Sequence, residues 1–159
     1  QIMFGLERYD EACDALRKAI SVNEFVLGEK HRDVAINYKS IGNFMRQKGD
    51  LDEALKEYRK ALSITASLYG EDHPRALSIR DSIGQTLLDT NDYDGAEKEF
   101  RFVLACRESV FDSKKKSLKR VFDQSESVGE SYKRLARVLM KKGQVDESQE
   151  LFRKGMGVR

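Results

Sequence analysis

The chain has 159 residues, 35% of them charged and 40% apolar, and its 29 basic and 27 acidic side chains leave a net charge of +2. That length suffices for one domain with a sizeable core, and the near balance of charge argues against a global field for nucleic acid or anionic membranes. Two distant cysteines, Cys13 and Cys106, and the lack of an apolar run near the roughly 18 residues a membrane span needs exclude a disulfide framework, a Cys-x-x-Cys zinc pattern and a transmembrane helix.

In chain order, residues 1–28 read as the second helix of a truncated repeat, with Tyr9, Ala12, Leu16 and Ala19 on one helical face. Gln1 in place of Met, with no signal-peptide pattern, reads as the start of a fragment. The phrase VLGEKHRDVA at 26–35 follows and returns as LYGEDHPRA at 68–76, carrying both histidines, His31 and His73, 42 residues apart. The same offset maps Gly28 onto Gly70, Ser40-Ile41-Gly42 onto Ser82-Ile83-Gly84, Asp52 onto Asp94, Ala54 onto Ala96 and Arg59 onto Arg101. Within the unit 29–70, Ile36, Tyr38, Ile41 and Met45 and then Leu51, Leu55, Tyr58 and Leu62 form two amphipathic stripes. KGD at 48–50 separates them, repeated as TND at 90–92 and KGQ at 142–144, where Gly or Asn can take positive φ and Asp can cap the next helix. Gly42 with Ala54, and Gly84 with Ala96, would let paired helices approach closely.

The repeated histidine phrase reads as punctuation between helix pairs. Pro74 suits a first helical position, with Asp72 or His73 as the cap, and His31 or Arg32-Asp33 doing the same in the earlier copy. Two histidines one repeat apart, with no third, do not make a metal site. After the second unit, 71–112, the pattern slips: Asn91 matches Gly143 at an offset of 52, so ten residues are inserted. Ten residues are close to three helical turns, and the spacing through Leu118, Val121, Phe122, Ser125, Val128, Tyr132, Leu135 and Leu139 predicts a long first helix in the third unit, 113–159, starting near Ser117 after a loop at 112–116. The basic run Lys114-Lys115-Lys116 with Lys119-Arg120 reads first as a solvated loop and helix face. The alternatives are a polyanion or nuclear-localisation patch and a loop controlled by phosphorylation at Ser113 or Ser117. No phosphate loop, HExxH helix, G-x-S-x-G elbow or carboxylate pair appears, so no catalysis and no cofactor are expected. Both cysteines fall in apolar stripes and read as buried small hydrophobes.

Tyr38-x-x-Ile41-Gly42-x-x-Met45 followed by Ala54-x-x-x-Tyr58 resembles the tetratricopeptide repeat. Arg80-x-x-Ile83-Gly84-x-x-Leu87 with Ala96-x-x-x-Phe100 is a second copy, and Tyr132-x-x-Leu135-Ala136-x-x-Leu139 with Ser148-x-x-x-Phe152 a third. The 42-residue period and the GEDHP phrase resemble the longer repeats of kinesin light chains, although Lys39-Ser40-Ile41-Gly42 and Asp81-Ser82-Ile83-Gly84 replace the Asn-Asn-Leu-Ala run of those proteins. The resemblance implies an all-α, right-handed α-solenoid of antiparallel helix pairs whose first helices line a concave groove for a peptide or protein partner. By motif position the groove residues would be Ile36, Lys39, Asn43, Arg46 and Gln47, then Ser78, Asp81, Gln85, Leu88 and Asp89, then Glu130, Lys133, Arg137, Met140 and Lys141. Basic excess at both ends of that set suggests an acidic peptide, Lys39 and Arg46 on one side and Lys133, Arg137 and Lys141 on the other. The other reading is a structural spacer within a longer protein, self-associating as a homo-dimer through uncapped ends. The expected location is cytoplasmic, with no nucleic-acid or membrane partner.

Overall fold

Helix ends fall where the sequence carries its punctuation. The computed structural model describes residues 2–113 and 118–157, with side chains described for 8–110 and 126–157. It contains α1 (Ile2–Leu27), α2 (Arg32–Lys48), α3 (Leu51–Tyr69), α4 (Pro74–Asp89), α5 (Tyr93–Ser113), α6 (Leu118–Lys141) and α7 (Val145–Gly155), and no strand among the described residues. Two compact units divide the chain, Gln1–Thr90 with α1 to α4 and Asn91–Arg159 with α5 to α7. In the first, α1 packs on α2, α2 on α3 and α3 on α4; in the second, α5 packs on α6 and α6 on α7.

Gly49 (φ 97°), Asn91 (φ 62°) and Gly143 (φ 80°) turn into the left-handed region just beyond α2, α4 and α6, as the KGD, TND and KGQ triplets imply. Asp92 caps α5, its carboxylate accepting from the Gly95 N–H at 3.0 Å. Asp50 does not cap α3 with its side chain and instead meets Lys48 at 3.2 Å. Both histidines are caps: Nδ1 of His31 accepts from the Asp33 N–H and Nδ1 of His73 from the Arg75 N–H, each at 3.2 Å. Pro74 is the first residue of α4, where its missing N–H costs nothing.

The close approach expected of Gly42 is made with Tyr58 rather than with Ala54. A Cβ on Gly42 would lie 2.7 Å from the Tyr58 ring, which is 1% exposed. The ring is held at its far end, where the phenol donates to Asn43 Oδ1 at 2.7 Å. Burying a side chain of this size contributes about 1.5–3 kcal/mol. The equivalent positions in unit 2 are Ala136, Ser148 and Phe152. There Ser148 Oγ donates to the Ala136 carbonyl at 2.7 Å, and Phe152 remains 39% exposed. Where α6 meets the end of α7, Gly129 and Gly155 bring the backbones together; a Cβ on Gly129 would lie 2.9 Å from the Gly155 carbonyl oxygen.

Helix α6 has 24 residues against 17 for α2, which accounts for most of the insertion as a lengthened first helix. The loop expected at 112–116 starts later, because α5 continues through Ser113. Lys114, Lys115, Lys116 and Ser117 lie outside the described residues, as do the side chains of Ser113, Lys119 and Arg120. Cys13 is buried, and burial pushes its thiol pKa up; Cys106 is only half-buried, which corrects the expectation for it.

One device recurs in both units without having been anticipated. Lys48 meets Asp10 at 2.8 Å and Arg17 meets Glu53 at 3.8 Å in the first; Lys142 meets Asp94 at 2.7 Å and Arg101 meets Glu147 at 2.8 Å in the second. These are the same repeat positions, so each pair ties a second helix to the hairpin that follows it. Partly exposed pairs of this kind are each worth about 0–1 kcal/mol and act more on register than on stability. The intervening copy holds Thr90 and Gly95 where the flanking copies hold lysine and glutamate.

Candidate functional site

On α2 and α4 the predicted residues form one face tied at two points. Lys39 Nζ donates to Ser78 Oγ at 2.9 Å, and Arg46 Nε meets Asp89 Oδ2 at 2.9 Å. Gln85 braces the same carboxylate, donating to Asp89 Oδ1 at 3.2 Å. Both bridges advance in the same chain direction, so α2 and α4 run side by side. Asn43 and Gln47 are exposed between and beyond them, while Asp81, Gln85 and Leu88 are half-buried. The carbonyl of Asn43 is engaged by Tyr58, so this amide is oriented from beneath. Burial pushes the Tyr58 phenol pKa up, which keeps it a donor throughout the neutral range.

On α6 the predicted residues share one face as well. Glu130 and Lys133 pair at 2.9 Å, and Arg137, Met140 and Lys141 are exposed. Among the described residues Lys39, Arg137 and Lys141 meet no carboxylate, whereas Arg46 and Lys133 are already neutralised by Asp89 and Glu130. The open basic charge is therefore smaller than the sequence suggests.

A cavity of about 310 Å³ opens at the N-terminal ends of α2 and α4, above the last turn of α3. Ile36, Lys39 and Ser78 of the predicted set line it, joined by residues that motif position does not identify, Arg32, Tyr69 and Arg75 among them. Tyr69 stacks on His73 with ring centroids 4.8 Å apart, and the Arg75 guanidinium lies 5.6 Å from the Tyr69 ring centre. The signal for them was in the repeated phrase. The second copy reads Tyr-Gly-Glu-Asp-His-Pro-Arg where the first has Leu27 and Asp33 at the stacking positions. The phrase is thus both punctuation and cavity wall.

No group of three His, Cys, Asp or Glu side chains among the described residues is placed to hold a metal ion, and His31 and His73 cap different helices. No described helix is long and apolar enough to cross a membrane.

Helix pairs closed by left-handed residues, small residues at the crossing and repeating ion pairs define a helical-hairpin repeat protein. Two family models described as tetratricopeptide repeat match the chain, one at residues 33–109 and one at residues 1–33. The chain belongs to the tetratricopeptide repeat family, whose members serve typically as non-catalytic protein–protein interaction scaffolds. The crystal structure of BtubC (BKLC) from P. vanneervenii superimposes with a TM-score of 0.81 at 18% identity, over 96% of this chain and 57% of that one. The TPR-like repeats of a Podosopora anserina protein assigned as a kinesin light chain give 0.56 at 16% identity, over 96% of this chain and 87% of that one. At such identities the likeness shows the fold alone. The chain spans 57% of the length of the BtubC structure. Comparison with curated proteins finds no match.

Proposed function

We propose that the chain is a non-catalytic cytoplasmic scaffold whose first helices, α2 and α4 in one unit and α6 in the other, each present a face to an extended segment of a protein partner. The repeat boundaries 29–70, 71–112 and 113–159 follow from the same reading, each unit supplying one such helix. The observation that carries it is the tied face of α2 and α4. Lys39–Ser78 and Arg46–Asp89 link two helices that keep Asn43 and Gln47 solvent-accessible, which supports a surface pre-organised for a partner. Lys39, Arg137 and Lys141 favour acidic side chains in that segment, because none of the three forms a close ion pair among the described residues, although Arg137 also feels the Glu130 carboxylate.

The test is a peptide array probed with the 159-residue chain. Capture of acidic peptides, reduced at least about tenfold by Lys39→Glu with Arg137→Glu, is the expected outcome, with the helical signal unchanged by circular dichroism. Capture that ignores both substitutions would contradict the reading. A second reading, self-association, draws on the last turns of α1, where Val22, Phe25 and Val26 are exposed and Phe25 is 92% so. It predicts a concentration-dependent dimer by light scattering that Phe25→Glu abolishes, with no peptide captured.

A further inference from the structure

The cavity at the start of α2 and α4 has a composition that a plain peptide groove does not need. Its wall carries three cations, Arg32, Lys39 and Arg75, and no carboxylate, while Ile36, Ile79 and the Tyr69 ring give it an apolar side. Of the carboxylates nearby, Glu71 pairs with Arg80, and Asp33 is not among the residues that line the cavity. Three like charges around about 310 Å³ repel one another unless an anion sits among them. Arg75 is exposed, and its guanidinium lies 5.6 Å from the centre of the Tyr69 ring that itself stacks on His73.

A single carboxylate would leave most of that charge uncompensated, whereas a phosphate monoester carries about −1.5 to −2 at neutral pH and three acceptor oxygens. Two guanidinium forks and an ammonium match it, since arginine binds phosphate bidentately and lysine adds a point charge. The apolar side asks for a flat hydrocarbon body beneath the anion, and the volume suits one aromatic ring with its substituent. From this match of charge and shape we infer that the cavity receives a phosphotyrosine side chain of the bound peptide segment. The inference rests on the peptide-binding reading and deepens it: phosphorylation of the partner would switch the scaffold's grip.

The experiment compares four fluorescent pentapeptides, acetyl-Gly-Ser-X-Ser-Gly-amide with X as tyrosine, phosphotyrosine, phosphoserine or glutamate, binding to the full chain by anisotropy. The phosphotyrosine peptide is expected to bind at least about tenfold tighter than each of the other three. Arg32→Gln with Arg75→Gln should bring it within about twofold of the tyrosine peptide, with circular dichroism unchanged. Arg75→Lys, which keeps charge but loses the fork, should retain part of the gain. Equal binding of the tyrosine and phosphotyrosine peptides overturns the inference, as does a gain that survives the double substitution or one that phosphoserine matches. If array-selected acidic peptides still bind through Lys39 and Arg137 in that case, the phosphotyrosine inference falls and the scaffold reading stands. If the array captures nothing either, both fall.

Discussion

In the first unit the hairpin of α2 and α3 closes a tyrosine over a glycine; in the second, the hairpin of α6 and α7 places an alanine at that position and its phenylalanine stays 39% exposed. The repeat position is the same and the aromatic ring is nearly the same, so position alone does not decide burial. Two things differ: α3 carries Tyr58 between α2 and α4 whereas α7 carries Phe152 against α6, and the residue opposite each ring is not the same. Gly42 leaves room for the Tyr58 ring against its backbone, whereas Ala136 carries the Cβ that would fill that room. Unit 2 is held differently, through the Ser148 hydrogen bond to the Ala136 carbonyl and the backbone contact of Gly129 with Gly155. The faces built on these hairpins differ too. That of α2 is cross-tied to α4, while α6 presents Arg137, Met140 and Lys141 untied.

The largest expected contrast is between truncations of the two rings. Tyr58→Ala should cost about 3–5 kcal/mol, the range for deleting a fully buried aromatic, and Phe152→Ala no more than about 1 kcal/mol because much of its ring is already wet. Urea unfolding of both variants measures this, and similar losses would break the comparison. Next in size is the small residue itself. Gly42→Ala should destabilise by about 1–3 kcal/mol through overpacking against Tyr58, although alanine is intrinsically the better helix former by about 1 kcal/mol. Ala136→Gly should cost about 1 kcal/mol through propensity alone. A Gly42→Ala variant that gains stability would mean the Tyr58 ring yields freely.

A smaller effect separates the histidine caps from any chemical role. His73→Ala should lose about 1 kcal/mol and His73→Asn should restore most of it, since asparagine also accepts from the first-turn N–H groups. The smallest concerns pH. Burial pushes the Glu97 pKa up, but hydrogen bonds from Lys142 and Arg101 outweigh it and set the pKa below the ordinary carboxylate value. A lowered folded pKa means the group's stabilisation is complete above the unfolded value near 4.5 and fades as the pH drops through the lower folded one. Glu97→Gln should therefore flatten the acid arm of the stability profile, measured as Tm between neutral and acid pH. An acid arm unchanged by the substitution would assign it to other carboxylates.

Much of this architecture was legible because its causes are local. Gly49, Asn91 and Gly143 announce turns by the one conformation they tolerate well, and the helical stripes around Ile41, Leu55 and Leu87 need only a 3.6-residue period. The long α6 was readable as soon as Asn91 and Gly143 were found out of step. What was not legible is relational. That Lys48 reaches Asp10, that Arg46 is neutralised by Asp89, and that Arg32 and Arg75 share one cavity all depend on residues brought together by packing. Their sequence separations run from 38 to 43 in the first two cases. Cys106 shows the same limit, since its stripe position predicted burial and its neighbours leave it half-covered.

The claim that the first helices carry recognition is tested most directly by hydrogen–deuterium exchange of the full chain with and without an array-selected acidic peptide. The account predicts slowed exchange in α2, α4 and α6, centred near Lys39, Ser78 and Arg137, with α3 and α7 unchanged. Protection confined to α1, α3, α5 or α7, with the first helices exchanging as before, would contradict it.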